Sequence, residues 1–366
     1  MRVVVLGTRG IPDIQGGVES HCEALYPRLV QLGHEVILMT RTPYVINQQV
    51  TEYQGVKLKH VYAPKIKSFE AIFHSVLGVM VVFSLKPDIL HIHGIGPALV
   101  IPFAHLLGLK KIVVTYHCPN YEHKKWGRLA RFMLRLGEKF TVNYAQKIIV
   151  ISKTLQESLK EKYNCDSIVI YNGVNPVIKA DKTDYLQSLS IKPQQYIIGV
   201  GRFVEEKGFH DLIAAFASLK NTSYQLVLAG DADHKTDYSE QLIKLAKDND
   251  IILTGFIKGE KLRQIYTHAA LFVLPSYHEG LPIVLLEAMS YGLKVLVSNI
   301  SAHIEVNLPD NCYFDLGNVK KLAENIYKLL MSSELFDYSK LLVQYDWERI
   351  AMQTELVYQK TTSDVA

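Results

Sequence analysis

Two doubly wound α/β domains in series are what this sequence predicts. Its 366 residues amount to about twice an ordinary domain. Short apolar, β-branched runs alternate with segments of helical period through both halves, the pattern of parallel strands buried on both faces. A polar, turn-rich stretch separates the two series. With 48% hydrophobic and 21% charged residues, each half can build a core, which excludes extended disorder.

In the first domain, 1–174, strands read near 2–6, 35–40, 56–62, 88–92, 111–116, 147–151 and 167–170. Runs such as Val3-Val4-Val5-Leu6 and Ile148-Ile149-Val150-Ile151 are too short for helices and rich in β-branched side chains. Helices read near 18–32, 69–85, 95–108, 126–145 and 153–163. The most apolar of them is uncharged from Ala71 to Leu85, 15 residues, short of the ~20 that span a bilayer. It reads as buried or interfacial. Tyr171-Asn172-Gly173-Val174-Asn175-Pro176 is dense in turn formers, and 175–193 is polar and irregular, which predicts a linker. The second domain, 194–345, places strands near 196–200, 225–229, 251–253, 271–274 and 294–297. Its helices read near 208–219, 239–248, 259–269, 283–291 and 318–331. A last helix covers 346–362. Two Rossmann-like domains of this kind bind ligands beyond the carboxyl ends of their strands, so the expected site is a cleft between them.

The net charge of +4 is too small to argue for nucleic acid as a partner. Its distribution is uneven: residues 1–172 hold 21 Lys/Arg and 12 Asp/Glu, a net +9, and the remainder holds 19 and 24, a net −5. The basic half is expected to meet something anionic. Four scattered cysteines, without zinc-ligand spacing or a disulfide framework, favour a reducing compartment. No secretory leader is read at Met1-Arg2, so a cytoplasmic location is expected.

Three loops are suited to a phosphorylated ligand. After the first strand come Gly7-Thr8-Arg9-Gly10-Ile11-Pro12 and Gln15-Gly16-Gly17-Val18-Glu19, with no G-x-G-x-x-G and no acid ending the second strand, which excludes a dinucleotide site. Gly16-Gly17 open a helix, whose free N–H groups and dipole suit an anion; a plain tight turn is the alternative. In the second domain, Gly199-Val200-Gly201-Arg202 leaves a strand and Lys207-Gly208 enters a helix. Arg202 and Lys207 can grip a diphosphate, or can be solvated cations beside Glu205 and Glu206. The third loop, Pro275 to Pro282, carries Glu279 and Gly280-Leu281, and a helix follows with Glu287 four residues beyond Ile283. Proline suits the first turn of that helix. Two carboxylates so placed can accept from sugar hydroxyls; Glu287 can equally be an acid favoured by the helix dipole. A paired-acid glycosidase also stays open. His117 ends the fifth strand, which places it at the expected cleft, although a lone strand-end histidine is more often structural. His91 and His93 share one strand face, where packing or hydrogen bonding is expected rather than a metal.

Taken together these loops resemble the family 4 retaining glycosyltransferases of the GT-B fold, over nearly the whole chain. The most specific piece is E-x7-E, Glu279 to Glu287. With it go G-x-G-R-x-x-x-x-K-G at 199–208, the Asn172-Gly173-Val174 turn, Leu253-Thr254-Gly255-Phe256-Ile257 and the PSxxEG lead-in. The front loops and HKKWGR at 123–128 resemble a bacterial, rhamnosyltransferase-like subgroup that builds surface polysaccharides. Cys118-Pro119-Asn120 and Lys294 depart from the family pattern.

The resemblance implies that Arg202 and Lys207 hold the donor diphosphate and Glu287 the ribose. Glu279 with the amides around Leu281 and Ile283 would hold the sugar. It further implies His117 at the sugar, Gly16 and Gly17 at the phosphate, and the base near Ile257. The catalytic set is then His117, Arg202, Lys207 and Glu279, with Gly16, Gly17, Gly201, Ile257, Gly280, Leu281, Pro282, Ile283 and Glu287 binding the donor. No metal or other cofactor is expected. The donor would be UDP-, GDP- or dTDP-linked, and the acceptor a glycan or lipid-linked glycan. The last helix would cross back onto the first domain at Trp347. Lys124, Lys125, Trp126, Arg128, Arg131, Arg135 and Lys139, with Leu129, Phe132, Met133 and Leu136, form a basic amphipathic stretch over 124–139. It suits an anionic membrane surface, which would make the protein peripheral on the inner face of the cell membrane. The alternatives are a GT-B sugar-nucleotide epimerase and a non-catalytic sugar-nucleotide-binding protein.

Overall fold

The computed structural model describes residues 1–45, 47–64, 69–119, 121, 127–219, 222–232 and 235–363. The chain divides into two units, residues 1–172 with 347–366, and residues 173–346.

The first unit is an eight-stranded sheet of β1 (Arg2–Leu6), β2 (Glu35–Arg41), β3 (Glu52–Tyr53), β4 (Val56–Val61), β5 (Ile89–His93), β6 (Ile112–Tyr116), β7 (Lys147–Val150) and β8 (Ile168–Val169). The order is β3-β4-β2-β1-β5-β6-β7-β8, parallel except for β3, which pairs antiparallel with β4 at the edge. Its helices are α1 (Gly17–Gln31), α2 (Phe69–Leu85), α3 (Ile101–Leu106), α4 (Arg128–Tyr144) and α5 (Lys153–Tyr163). Strand alternation sorts the core into two faces. Val3, Val5 and Leu38 pack with α1 side chains Leu25, Tyr26 and Leu29. Val4, Leu6 and Met39 pack with Val79, Val82 and Ile101 of α2 and α3. Each such fully buried side chain contributes about 1.5–3 kcal/mol.

The segment expected to be an irregular linker, 175–193, belongs to the second unit and carries a short helix, α6 (Asp184–Ser188). Gln264 accepts from the Tyr185 amide and donates to Asp184, which ties α6 to the rest of that unit. The sheet that follows has β9 (Tyr196–Val200), β10 (Gln225–Ala229), β11 (Ile252–Gly255), β12 (Leu271–Leu274), β13 (Val295–Ser298) and β14 (Tyr313–Phe314), in the order β11-β10-β9-β12-β13-β14. Around it run α7 (Phe209–Ser218), α8 (Asp237–Asp248), α9 (Gly259–Thr267), α10 (Ile283–Ser290), α11 (Ser301–Ile304), α12 (Val319–Met331) and α13 (Ser339–Leu342). Its core joins Ile197, Leu226 and Leu228 to Phe209, Leu212, Leu322 and Ile326.

The last helix, α14 (Trp347–Ser363), returns to the first unit. Trp347, Ile350, Val357 and Tyr358 are buried against the α1 face of the first sheet, and Arg28 pairs with Glu348 at 2.8 Å. α4 is held by a buried carboxylate: the hydroxyls of Tyr116, Tyr121 and Tyr163 and the Lys162 ammonium all donate to Glu138 at 2.5–3.0 Å.

Candidate functional site

In the second sheet β9 lies between β10 and β12, so the strand order reverses beside it. Loops leaving the carboxyl ends at such a point are where ligands bind in open α/β sheets. Those loops carry Arg202 and Lys207 after β9, and Glu279 after β12. Gly201 lets the turn pass close: a Cβ there would stand 3.3 Å from Lys207 Cε. Gly208 is held at φ +66°, and a Cβ on it would meet the Pro275 carbonyl oxygen at 2.1 Å, so no other residue fits without moving the β12 loop. The Tyr277 amide donates to the Glu206 carbonyl at 2.8 Å and joins the two loops.

Lys207 does not stand alone as a solvated cation. Its Nζ donates to Glu279 Oε1 at 2.6 Å, with side chains 15% and 11% exposed. The Ser276 hydroxyl donates to the same oxygen at 2.6 Å. Behind them the Ser298 hydroxyl donates to the Ser276 carbonyl, and His303 Nδ1 to the Ser298 carbonyl at 2.8 Å. Burial raises the Glu279 pKa, but the Lys207 ammonium, with the Ser276 hydroxyl, outweighs it and holds the carboxyl below its ordinary value. His303 is pushed down to about 4 by burial and is neutral at physiological pH. Arg202 is half-buried on the same turn as Lys207.

The loop continues through Gly280 and the buried Leu281 into α10. The helix starts where the sequence predicts, and Pro282 is its N-cap in extended conformation rather than a first-turn residue; its carbonyl accepts from Leu285 at 3.1 Å. Ile283 is therefore the first helical residue, and the first-turn amides have no partner within the helix. Glu287, one turn on, is half-buried and accepts from the Tyr266 hydroxyl at 2.9 Å. Ile257 is half-buried just past β11; its neighbour Lys258 acts electrostatically on Glu287, which places that loop near this acid.

In the first unit Gly16 caps α1 at φ +150°. A Cβ there would collide with Glu19 Oε2 at 2.1 Å and Arg9 Nη2 at 2.6 Å. Arg9 also donates to the Gln15 carbonyl at 2.6 Å and pairs with Glu19 at 3.2 Å, so this turn is braced by a buried ion pair. Gly17 has open space where a side chain would be. His117 follows β6 directly and is 8% exposed. It is not a lone histidine: its Nε2 lies 2.9 Å from His93 Nδ1, and His93 stacks on His91 at 4.4 Å. His21 stands edge-on to both His93 and His117.

The strand-face spacing of His91 and His93 made their pairing legible. His21, Tyr26, Trp347 and Tyr358 come from other elements, and no sequence pattern joined them to it. Ser276, Tyr266 and His303 were likewise missed. Ser276 alone had a signal, the third-residue offset of a serine from Glu279. Among the described residues no group of three or more His, Cys, Asp or Glu side chains is placed to hold a metal ion. No helix among them is long and apolar enough to cross a membrane. Asn120, Lys124, Lys125 and Trp126 lie outside the described residues.

The Glu287 carboxyl yields a pH prediction. Burial pushes it up to about 7, against the Tyr266 hydroxyl and Lys258, which favour the ionised form. An unfolded glutamate titrates near ~4.3, so between these values the folded state binds more protons. The contribution to stability is then fully present below about 4.3 and lost as pH rises through about 7. Glu287→Gln is expected to gain on the unsubstituted protein between pH 5 and pH 8 in denaturant midpoint. A difference that stays constant across that window would contradict the assignment.

Comparison with known proteins follows the same division. The family model described as Glycosyltransferase Family 4 matches residues 15–177, and that for Glycosyl transferases group 1 matches 181–340. The chain is 26% identical to an uncharacterized glycosyltransferase of Methanocaldococcus jannaschii, covering 98% of each. Among solved structures it resembles sucrose-phosphate synthase from Thermosynechococcus elongatus, with a TM-score of 0.82 at 20% identity and 99% of each chain covered. It also resembles Anabaena HepE, solved in complex with UDP-glucose, with a TM-score of 0.75 at 16% identity, covering 100% of this chain and 99% of that one. Two Rossmann-like units, each matched by its own family model, make this chain a member of the family 4, group 1 glycosyltransferases of the GT-B fold.

Proposed function

We propose that the chain is a retaining glycosyltransferase that moves a sugar from a nucleotide-sugar donor to a hydroxyl of a growing bacterial surface glycan. The observation that carries this is the Lys207–Glu279 pair beside the N-terminus of α10, where two strand-end loops bring a cation, a carboxylate and the first-turn amides of a helix together. Arg202 and Lys207 hold the diphosphate, with charge-assisted hydrogen bonds worth about 1.5–3 kcal/mol each. Glu279 and the amides near Leu281 and Ile283 hold the sugar, Glu287 accepts from the ribose, and the base lies toward Ile257. The family resemblance adds Gly16, Gly17 and His117 to the donor's contacts. HepE was solved with UDP-glucose, which supports a nucleotide-sugar donor here.

In the reaction the bond from the anomeric carbon to the phosphate oxygen breaks, and the acceptor oxygen bonds to that carbon on the same face. The departing diphosphate takes the acceptor's proton, so no protein nucleophile is required. The two cations and the helix N-terminus stabilise the charge that develops on the leaving group, a task they perform without a metal. The reading is tested by titrating the protein with UDP, GDP, dTDP and ADP, with Lys207→Ala as control. Selective binding, weakened at least tenfold by the substitution, is the expected result, at ~1.4 kcal/mol per factor of ten. Absence of any nucleotide binding would remove the main support for it.

The acceptor is proposed to be lipid-linked and reached from an anionic membrane surface. Along α4, Arg128, Arg135 and Lys139 share an exposed face with Leu129 and Phe132. α2 also packs against residues 97–100, as α4 does, and exposes Phe73, Val76, Met80 and Phe83 in one stripe. Cations beside exposed apolar side chains are what such surfaces bind. The protein should float with anionic vesicles and lose that preference on the paired change Arg128→Glu and Arg135→Glu. Equal flotation with zwitterionic vesicles would count against docking.

A further inference from the structure

The histidines behind His117 are joined by tyrosines into a single chain of hydrogen bonds. His91 Nε2 meets the Thr115 hydroxyl at 2.7 Å, and His91 Nδ1 meets the hydroxyl of Tyr358, on α14, at 2.6 Å. The Tyr26 hydroxyl lies 3.1 Å from His91 Nδ1 but 2.5 Å from His93 Nε2. His93 Nδ1 then lies 2.9 Å from His117 Nε2. All four residues at the centre, Tyr26, His91, His93 and Tyr358, are essentially inaccessible to solvent.

The proton positions in this chain follow from chemistry. A phenol is far more acidic than an imidazole N–H, so a tyrosine–histidine contact is made with the hydroxyl donating. Each tyrosine has one proton to give. The two tyrosine hydroxyls also meet each other, but an imidazole nitrogen is a better acceptor than a phenol oxygen, so Tyr358 gives its proton to His91 Nδ1 at 2.6 Å and Tyr26 gives its own to the nearer nitrogen, His93 Nε2, at 2.5 Å. A neutral His93 that accepts at Nε2 must carry its proton on Nδ1 and donate it to His117 Nε2. His117 is thereby left with its own proton on Nδ1. The histidines are neutral: burial lowers the pKa of His91, His93 and His117, and each is lowered further by its neighbours in the cluster. His21, the other titratable ring facing them, is pushed down to about 4 by burial and bonds to Asn172, outside the chain.

We propose that Tyr26, backed by Tyr358 of the C-terminal helix, is a positioning residue that fixes His117 as the Nδ1–H tautomer and makes it a hydrogen-bond donor to an oxygen of the donor sugar. This rests on the reading of His117 as a donor-sugar contact. The relay has a definite direction, from α14 through α1 and β5 to the end of β6. It gives the last helix of the chain a part in sugar recognition through hydrogen bonds alone. A ligand oxygen is recognised as an acceptor; with the reversed chain, His117 would offer a bare nitrogen and select a donor instead.

The direct test is nitrogen-15 NMR of the histidine rings in the protein without donor. The expected spectrum has His117 protonated at Nδ1 and bare at Nε2. Tyr26→Phe keeps the ring in the core but removes the hydroxyl, and is expected to move His117 toward the Nε2–H form and to lower kcat/KM for the nucleotide sugar about tenfold. Should that variant fail to fold, Tyr358→Phe serves, because Tyr26 then becomes the remaining donor to His91 and the same shift follows. His117→Asn, whose amide nitrogen can take the place of Nδ1, is expected to retain more turnover than His117→Gln. A bare Nδ1 in the unsubstituted protein, an unmoved tautomer in Tyr26→Phe, or unchanged kinetics in a variant whose tautomer has moved would each overturn the proposal. A failure of the glycosyltransferase reading shows separately, as no sugar transfer by the unsubstituted protein.

Discussion

The contact between Lys207 and Glu279 is the constraint around which the second unit's binding end is arranged. Their carboxylate–ammonium distance is 2.6 Å, and both side chains are largely removed from water. Holding two charges there is costly in desolvation, and leaving either one unpaired costs more, typically 3–5 kcal/mol. The surroundings are built to avoid that. Ser276 supplies a further hydrogen bond to Glu279, and Ser298 and His303 fix the strand end on which Ser276 sits. Gly208 admits the β12 loop at a distance no side chain would allow. The result is a cation and an acid whose positions are set before any ligand arrives, which is what preorganised stabilisation of a leaving group requires.

The first unit solves a related problem with neutral groups. Its α1 face of the sheet is apolar at Ile89 and turns polar toward the strand end at His91 and His93. Buried polar rings are tolerated only if their hydrogen bonds are made. Tyr26, Tyr358 and Thr115 make them, and α14 closes the face over them with Trp347 and Ile350. Anchoring the end of the chain and satisfying these histidines are thus one structural task. Glu138 does similar work at α4, where three tyrosine hydroxyls and Lys162 converge on one carboxylate.

The fold was largely legible because its strands are short apolar runs with distinct helical intervals. What escaped was short or formed by partners far apart in sequence. β3 has two residues and α6 five, too few for a periodic signal, so 175–193 read as a linker. Lys207 was weighed against its neighbours Glu205 and Glu206, whereas its partner lies 72 positions away, brought near because β9 and β12 are adjacent in the sheet. Glu287 was visible as an acid at helical spacing from Ile283, but its raised pKa depends on burial beside Tyr266, which spacing does not encode. The histidine relay draws on α1, β5, β6 and α14; His91 and His93 announced themselves by sharing a strand face and His117 by ending a strand, but no pattern joined Tyr26 or Tyr358 to them.

The central claim is that Lys207 offsets a buried Glu279 charge and is itself the diphosphate's anchor. Calorimetric binding of a nucleoside diphosphate, with no sugar attached, to Lys207→Met and to Lys207→Met with Glu279→Gln tests it most directly. If the account holds, the single change leaves an unpaired carboxylate that repels the diphosphate, and neutralising it restores part of the lost affinity. Equal or weaker binding by the double variant would show that the two side chains do not form one anion-binding unit.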